Sequence, residues 1–295
     1  MPNTTHMHIP SNRVRDIERY FHTELAGLYP DQEIGAFVDI LFEAYLGWNK
    51  AQLLLHRDDT INQSDLLRFH WAAEYLKQYR PIQYIVGYTD FCGLRLHVEP
   101  GVLIPRPETE EMVNHIKQTT HPATILDLCT GSGCIALALA AHFGDAEVVG
   151  VDISPQALAI AEANAAANRL QVTFVQCDIL HQEPTLPHST FDLIVSNPPY
   201  VCDSERASMS PNVLDHEPSL ALFVPDDDPL CFYRAIGQYA SRHLSHDGVL
   251  VSEINEKLGN ETCLLLQQLG FATTLHRDFR NKYRSITAQY LTLNS

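Results

Sequence analysis

At 295 residues the chain is too long for one small domain and too short for three ordinary ones, and 45% hydrophobic with 19% charged residues is globular composition, not that of a disordered tail. Its 20 Lys and Arg against 36 Asp and Glu give a formal charge of -16, the reverse of the basic excess that gripping a phosphate backbone needs, so no direct nucleic-acid contact is expected. The apolar runs are short and interrupted, and the opening MPNTTHMHIP has no basic stretch followed by an apolar core. No membrane span, no secretory signal and a cytoplasmic location are therefore expected.

Residues 1–80 read as a small all-helical domain. Apolar residues recur at helical spacing in VRDIERYFHTEL and IGAFVDILFEAYLGW, and Ser64 is placed to cap a further helix running toward residue 79. Residues 81–107 change character. Pro81, Gly87, Gly93, Pro100, Gly101, Pro105 and Pro107 punctuate the runs QYIVGY and LRLHV, whose alternation predicts a β-hairpin linker. Pro107 then opens a helix at its first position, with Glu108 and Glu110 in the first turn.

Residues 108–295 alternate strand and helix. ATILDLC, EVVGVDI, QVTFVQCDI, FDLIVSN and GVLVSEI are predicted strands. CIALALAAHF, a segment from a capping Ser154 through Asn168, and 233–244 and 257–269 are predicted helices. FATTLHRDF and SITAQYLTL read as an antiparallel edge. The fold class is therefore α/β: a doubly wound, mainly parallel sheet of the Rossmann-like kind, carrying a helical N-terminal domain and a hairpin linker.

Seven cysteines are scattered with no C-x-x-C pair, and fifteen histidines include no H-E-x-x-H. Reduced thiols and no metal site are expected. No heptad repeat demands a partner copy, and a monomer is expected.

Chemistry concentrates at strand ends. The first strand of the α/β part runs into Cys129-Thr130-Gly131-Ser132-Gly133, where two glycines permit a tight turn and close approach of a ligand to a helix N-terminus. The second ends in Asp152, about twenty residues on, where an acid can accept ribose hydroxyls. The third ends in Asp178-Ile179, an acid and an apolar side chain suited to an adenine amino group and ring face. Together they point to an adenosine-bearing cofactor, and the glycine turn alone leaves a nicotinamide dehydrogenase open. The fourth ends in Asn197-Pro198-Pro199-Tyr200, where the prolines make a rigid turn but explain neither the amide nor the phenol.

Asn197-Pro198-Pro199-Tyr200 after a fourth strand resembles the motif of S-adenosyl-L-methionine-dependent methyltransferases acting on planar amino or amide nitrogens. Nearly the whole chain is similar to the release-factor glutamine N5-methyltransferases of the HemK/PrmC type. The likeness runs through the linker with Ile104-Pro105-Arg106-Pro107-Glu108-Thr109-Glu110, then DLCTGSG, GVDIS, SNPPY, HEPSLAL and the spacing from Asp278 to Arg284. The resemblance implies methyl transfer to the glutamine of a Gly-Gly-Gln motif in peptide-chain release factors during translation termination, with S-adenosyl-L-homocysteine as co-product. It implies cofactor contacts from Cys129, Thr130, Gly131, Ser132, Gly133, Asp152, Asp178, Ile179 and Asn197. It gives the catalytic role to Asn197, Pro198 and Tyr200, with Pro199 beside them, Arg106 and the stretch from Glu108 through Thr109 to Glu110 near the pocket, and a helical domain that binds the release factor. Arg106 reads equally as a structural clamp or a substrate contact.

Three departures stand out: Cys129 and Asn281 where the family commonly has Gly, and an acidic stretch, Asp226-Asp227-Asp228, within a segment that is usually Gly-rich. The alternatives are a glutamine methyltransferase of a ribosomal protein, a nucleic-acid amino-methyltransferase, or a non-catalytic binding module on the same fold.

Overall fold

A computed structural model describes residue 9 and residues 11–291. Most of the N-terminal stretch read above for a signal, and the end of SITAQYLTL, lie outside the described residues. The chain forms two compact units. One runs up to Gly87 and includes Pro211–His216, and the other comprises Tyr88–Ser210 and the chain from Glu217 onward.

The helical unit contains α1 (Val14–Glu24), α2 (Asp31–Leu46), α3 (Lys50–Leu55), α4 (Gln63–Lys77) and α5 (Ile82–Val86). Its core follows from helical periodicity: α2 buries Ile34, Phe37, Val38, Leu41 and Phe42, and α4 buries Leu66, Phe69, Ala73 and Leu76. Two sequence expectations are corrected. The cap of α4 is Asn62, whose side chain accepts from the Asp65 N–H at 2.9 Å, not Ser64, which lies inside the helix. QYIV is helix α5 and not strand. Pro81 precedes it and Gly87, at φ 85°, ends it in the left-handed region, and five apolar-rich residues are too few for alternation to separate the two periods.

The second unit opens with an antiparallel hairpin, β1 (Tyr88–Phe91) and β2 (Leu94–His97), followed by α6 (Pro107–Thr119). The alternation continues through β3 (Thr124–Leu128), α7 (Cys134–Phe143), β4 (Glu147–Asp152), α8 (Pro155–Asn168), β5 (Thr173–Gln176) and β6 (Phe191–Ser196). Next come a short parallel pair, β7 (Val201–Cys202) and β8 (Phe223–Val224), which the sequence reading lacked, and between them α9 (Pro211–Leu214) of the helical unit. The chain ends with α10 (Cys231–His243), β9 (Leu244–Glu253), α11 (Gly259–Gln268), β10 (Phe271–Arg277) and β11 (Tyr283–Tyr290).

Seven strands form one sheet in the order β10-β11-β9-β6-β3-β4-β5. β9, β6, β3, β4 and β5 are mutually parallel, and β11 and β10 add antiparallel. One face packs on α6, α7 and α8 through Ile116, Leu137, Leu139 and Ala165, and the other packs on α10 and α11 through Tyr233, Ile236 and Leu266. Ser154 caps α8 by accepting from the Ala157 N–H, with Pro155 at the first helical position as expected. Among the described residues no helix is long and apolar enough to cross a membrane.

Candidate functional site

Strand register builds the site. β3 lies between β4 and β6, so the crevice at their carboxyl ends is the topological switch point of the sheet. Leu128 pairs with Ser196 on β6 and with Val151 on β4. The glycine turn, Asn197 and Asp152 therefore leave three adjacent strands at one level.

The turn after β3 is strongly left-handed: Cys129, Gly131 and Gly133 have φ of 62°, 55° and 80°. Glycine takes such angles freely, whereas Cys129 adopts them at a cost of roughly 1 kcal/mol, which accounts for glycine's suitability there. Asn281 likewise stands at φ 62°. Beneath the turn lies fully buried Asp127. Its Oδ2 accepts from the Thr130 hydroxyl at 2.6 Å and the Ala136 N–H at 3.1 Å, while Oδ1 has no partner. Burial raises this carboxyl to about 7.

Asp152 accepts from the Gly131 N–H at 2.8 Å and the Ser154 N–H at 2.9 Å, which fixes both oxygens. Two carboxylate oxygens offer about four acceptor sites, so lone pairs remain for ribose hydroxyls. Asp178 accepts from the Leu180 N–H at 3.0 Å and contacts the His181 ring nitrogen at 2.8 Å. Asn197 donates through Nδ2 to the Thr109 hydroxyl oxygen at 3.3 Å.

A cavity of about 450 Å³ gathers Cys129, Thr130, Gly131, Ser132, Asp152, Asp178, Ile179 and Asn197 into one wall. That volume lies within the range of small-molecule sites. Gly133 is absent from the lining and instead turns the chain into α7. Pro199 lines the cavity, whereas Pro198, Tyr200, Arg106 and Glu108 do not. Cys134 and Cys177 line it with Cys129, and burial raises all three thiols above the ordinary value, which leaves them neutral and poor nucleophiles. Among the described residues no group of His, Cys, Asp and Glu is assembled as a metal would require. A cavity with acids at two strand ends, an apolar flank of Ile179 and Leu180, and the N-terminus of α7 fits an adenosyl amino acid.

Comparison with known proteins adds independent information. Residues 22–87 match the model of the PrmC N-terminal domain, and residues 125–214 match a methyltransferase domain. A release factor glutamine methyltransferase of Flavobacterium psychrophilum is 41% identical over 94% of this chain and 99% of its own length. One of Bacteroides thetaiotaomicron is 39% identical over 92% of this chain and 98% of its own. The chain belongs to the release factor glutamine methyltransferases. Among solved structures, a methyltransferase from Pyrococcus furiosus superposes with a TM-score of 0.51 at 19% identity, covering 66% of this chain and 88% of that one. The hMettl16 catalytic domain, solved with the MAT2A 3'UTR hairpin 6, gives 0.53 at 14% identity over 81% and 87%. Both likenesses concern the fold.

Three residues of this methyltransferase, Glu217, Glu253 and Asp127, escaped the sequence reading as individuals. Glu217, with a side chain 1% exposed, accepts from the Ile104 N–H at 3.1 Å and from the Arg106 guanidinium at 2.5 Å. Arg106 is thus committed as a clamp within the chain, and Glu108 lies 3.8 Å from the Arg280 guanidinium. Thr109 and Glu253 are buried beside Asn197, and Asp127 underlies the turn. Glu253 was visible as the lone charge ending the apolar strand GVLVSEI, and Glu217 as the acid of HEPSLAL. What distinguishes these three is burial, which only the assembled fold reveals.

Proposed function

We propose that this protein transfers a methyl group from S-adenosyl-L-methionine to the side-chain amide nitrogen, N5, of the glutamine in the Gly-Gly-Gln motif of peptide-chain release factors. The observation that carries this reading is the adjacency of two features, the glycine turn with Asp152 and the Asn197-Pro198-Pro199-Tyr200 turn, of which Asn197 and Pro199 line the same cavity. A protein meeting release factors works in the cytoplasm, and we take it to act as a monomer whose helical unit binds the release factor.

When bound, the cofactor supplies a methyl group already activated on a sulfonium. The chain's own residues bind and orient. Asp152 would accept the ribose hydroxyls, Asp178 and Ile179 would take the adenine, and the N-terminus of α7 would favour the carboxylate of the methionine portion. A carboxamide nitrogen is a poor nucleophile because its lone pair is delocalised into the carbonyl, so it needs positioning more than a strong base. The Asn197 side-chain oxygen and the Pro198 carbonyl would accept its two N–H groups. That aims the nitrogen and favours the more pyramidal, positively charged arrangement of the transition state. Pro198 and Pro199 hold these acceptors rigid. Behind them, the Tyr200 carbonyl accepts from the Asn255 side chain at 2.9 Å, and the Tyr200 and Val201 N–H groups both donate to the Leu222 carbonyl. The neutral thiols lining the cavity agree with a single displacement and no covalent enzyme intermediate.

The test is incubation of the protein with methyl-labelled cofactor and, separately, release factor, ribosomal protein and nucleic acid. Label is expected in the release factor alone and is expected to vanish with Asn197→Ala. Label in either other substrate with none in the release factor would overturn the assignment.

A further inference from the structure

The parallel register of β6 and β9 pairs Ser196 with Ser252, so the next residues, Asn197 and Glu253, leave neighbouring strands side by side. Glu253 is 3% exposed and Thr109, from the first turn of α6, is 1% exposed. Asn197 Nδ2 lies 3.3 Å from the Thr109 hydroxyl oxygen, and the Thr109 hydroxyl favours the charged form of the Glu253 carboxyl. The Tyr200 hydroxyl approaches Glu253 Oε2 at 3.5 Å, and Oε1 makes no hydrogen bond. A buried carboxylate without a full set of donors is costly, so its presence directly behind the Asn-Pro-Pro-Tyr turn calls for a role.

An asparagine side chain has a donor end and an acceptor end, and its neighbours decide which faces where. We propose that Glu253 and Thr109 are positioning residues that set the orientation of Asn197. The Glu253 carboxylate takes the Thr109 hydroxyl proton in a hydrogen bond and leaves Thr109 Oγ1 as an acceptor. The Asn197 NH2 then turns toward Thr109, and its oxygen faces the cavity. This rests on the reading of Asn197 as acceptor for the substrate amide. If the carboxyl is protonated it donates to Thr109 instead. The Thr109 hydroxyl then donates to the Asn197 oxygen, and the NH2 that faces the cavity opposes the NH2 of the substrate.

The groups facing Glu253 decide where that exchange occurs. Burial raises its carboxyl to about 7, Glu108 on α6 adds to the rise, and Thr109, Arg284 on β11 and Tyr200 oppose it. Tyr233 on α10 and Cys134 on α7 also feel its charge, and burial keeps both neutral.

Transfer rates are to be compared for wild type, Thr109→Ser, Thr109→Val and Glu253→Gln, with cofactor affinity measured alongside. Thr109→Ser keeps the hydroxyl and should retain most activity. The near-isosteric Thr109→Val and Glu253→Gln should lose about tenfold to a hundredfold in rate with cofactor affinity little changed. Wild-type rate should fall as pH drops through about 7. That step should vanish in Glu253→Gln but persist in Asp127→Asn, which removes the other carboxyl raised to about 7. The orientation is also read without substrate. The Asn197 side-chain NH2, assigned in nitrogen-15 spectra by its loss in Asn197→Asp, should exchange slowly in wild type and Thr109→Ser and fast in Thr109→Val. Equal exchange in all three, or Thr109→Val and Glu253→Gln as active as wild type, would overturn the positioning role. A wild type that leaves release factor unmethylated but shows the exchange contrast would overturn the substrate assignment and keep the positioning.

Discussion

Replacing Arg106 with Met tests whether the clamp across the cavity matters as its geometry implies. The Glu217 side chain is 1% exposed and Arg106 is 32% exposed. Removing the guanidinium leaves a buried carboxylate with the single Ile104 N–H at 3.1 Å. Breaking a buried pair from one side costs about 3–5 kcal/mol, and the partial exposure of Arg106 lets water reach the vacated space, which lowers the expectation to about 2–3 kcal/mol. The double variant Arg106→Met with Glu217→Gln removes the uncompensated charge and should be more stable than Arg106→Met alone. The probe has to be chosen with care. Both tryptophans, Trp48 and Trp71, lie in the helical unit, so their fluorescence reports the other half of the protein. Peptide-resolved hydrogen exchange over β3 and β6 reads the unit that holds the clamp. Because Val102, Leu103 and Pro105 line the cavity from one side of the clamp and Pro218, Leu220 and Ala221 from the other, cofactor affinity should fall in the single variant too. A single variant within about 0.5 kcal/mol of wild type, or a double variant no better than the single, would refute the reasoning.

Other outcomes follow from the same geometry. Gly131→Ala places a Cβ with nothing within 4 Å, so it should cost only about 1 kcal/mol of backbone strain while weakening cofactor binding, read by titration calorimetry. Gly133→Ala meets Ala161 Cβ at 3.1 Å and Leu137 Cδ1 at 3.3 Å, and should destabilise more, by about 2–3 kcal/mol in denaturant unfolding. Asp152→Asn keeps an acceptor but loses the charge, and cofactor affinity should drop about tenfold to a hundredfold with the fold intact by circular dichroism. Asp127 has a folded value of about 7, above its ordinary unfolded one. The native state therefore holds that proton more tightly, and stability falls as pH rises from about 4 to about 7, by up to roughly 4 kcal/mol. Asp127→Asn should flatten that slope in unfolding measured from pH 4 to 8, and an unchanged slope would remove the effect from Asp127.

Much of this was legible because local rules and the global fold agree. Gly131, Gly133, Ser154 and Pro155 punctuate the α/β part so clearly that strand, turn and helix could be set in order, and the order places acids and the Asn-Pro-Pro-Tyr turn at strand ends. Short segments were harder. QYIV carries apolar residues that suit either period, and its helical state comes from packing in the helical unit between Pro81 and Gly87. Adjacency was the larger gap. Residues 109, 197 and 253 are far apart in sequence, and only the β6–β9 register brings Glu253 beside Asn197. Arg106 could not be resolved between clamp and contact until Glu217, 111 residues away, was found against it. Cys129 was placed at the cofactor from its position in the glycine turn, whereas nothing in the sequence singled out Cys134 and Cys177, which line the same cavity.

The central claim is tested most directly by peptide mass spectrometry of a release factor after incubation with the purified protein and S-adenosyl-L-methionine. One added methyl group is expected, on the Gly-Gly-Gln glutamine, and none with Asn197→Ala. An unmodified glutamine, under conditions where calorimetry shows the cofactor bound, would contradict it.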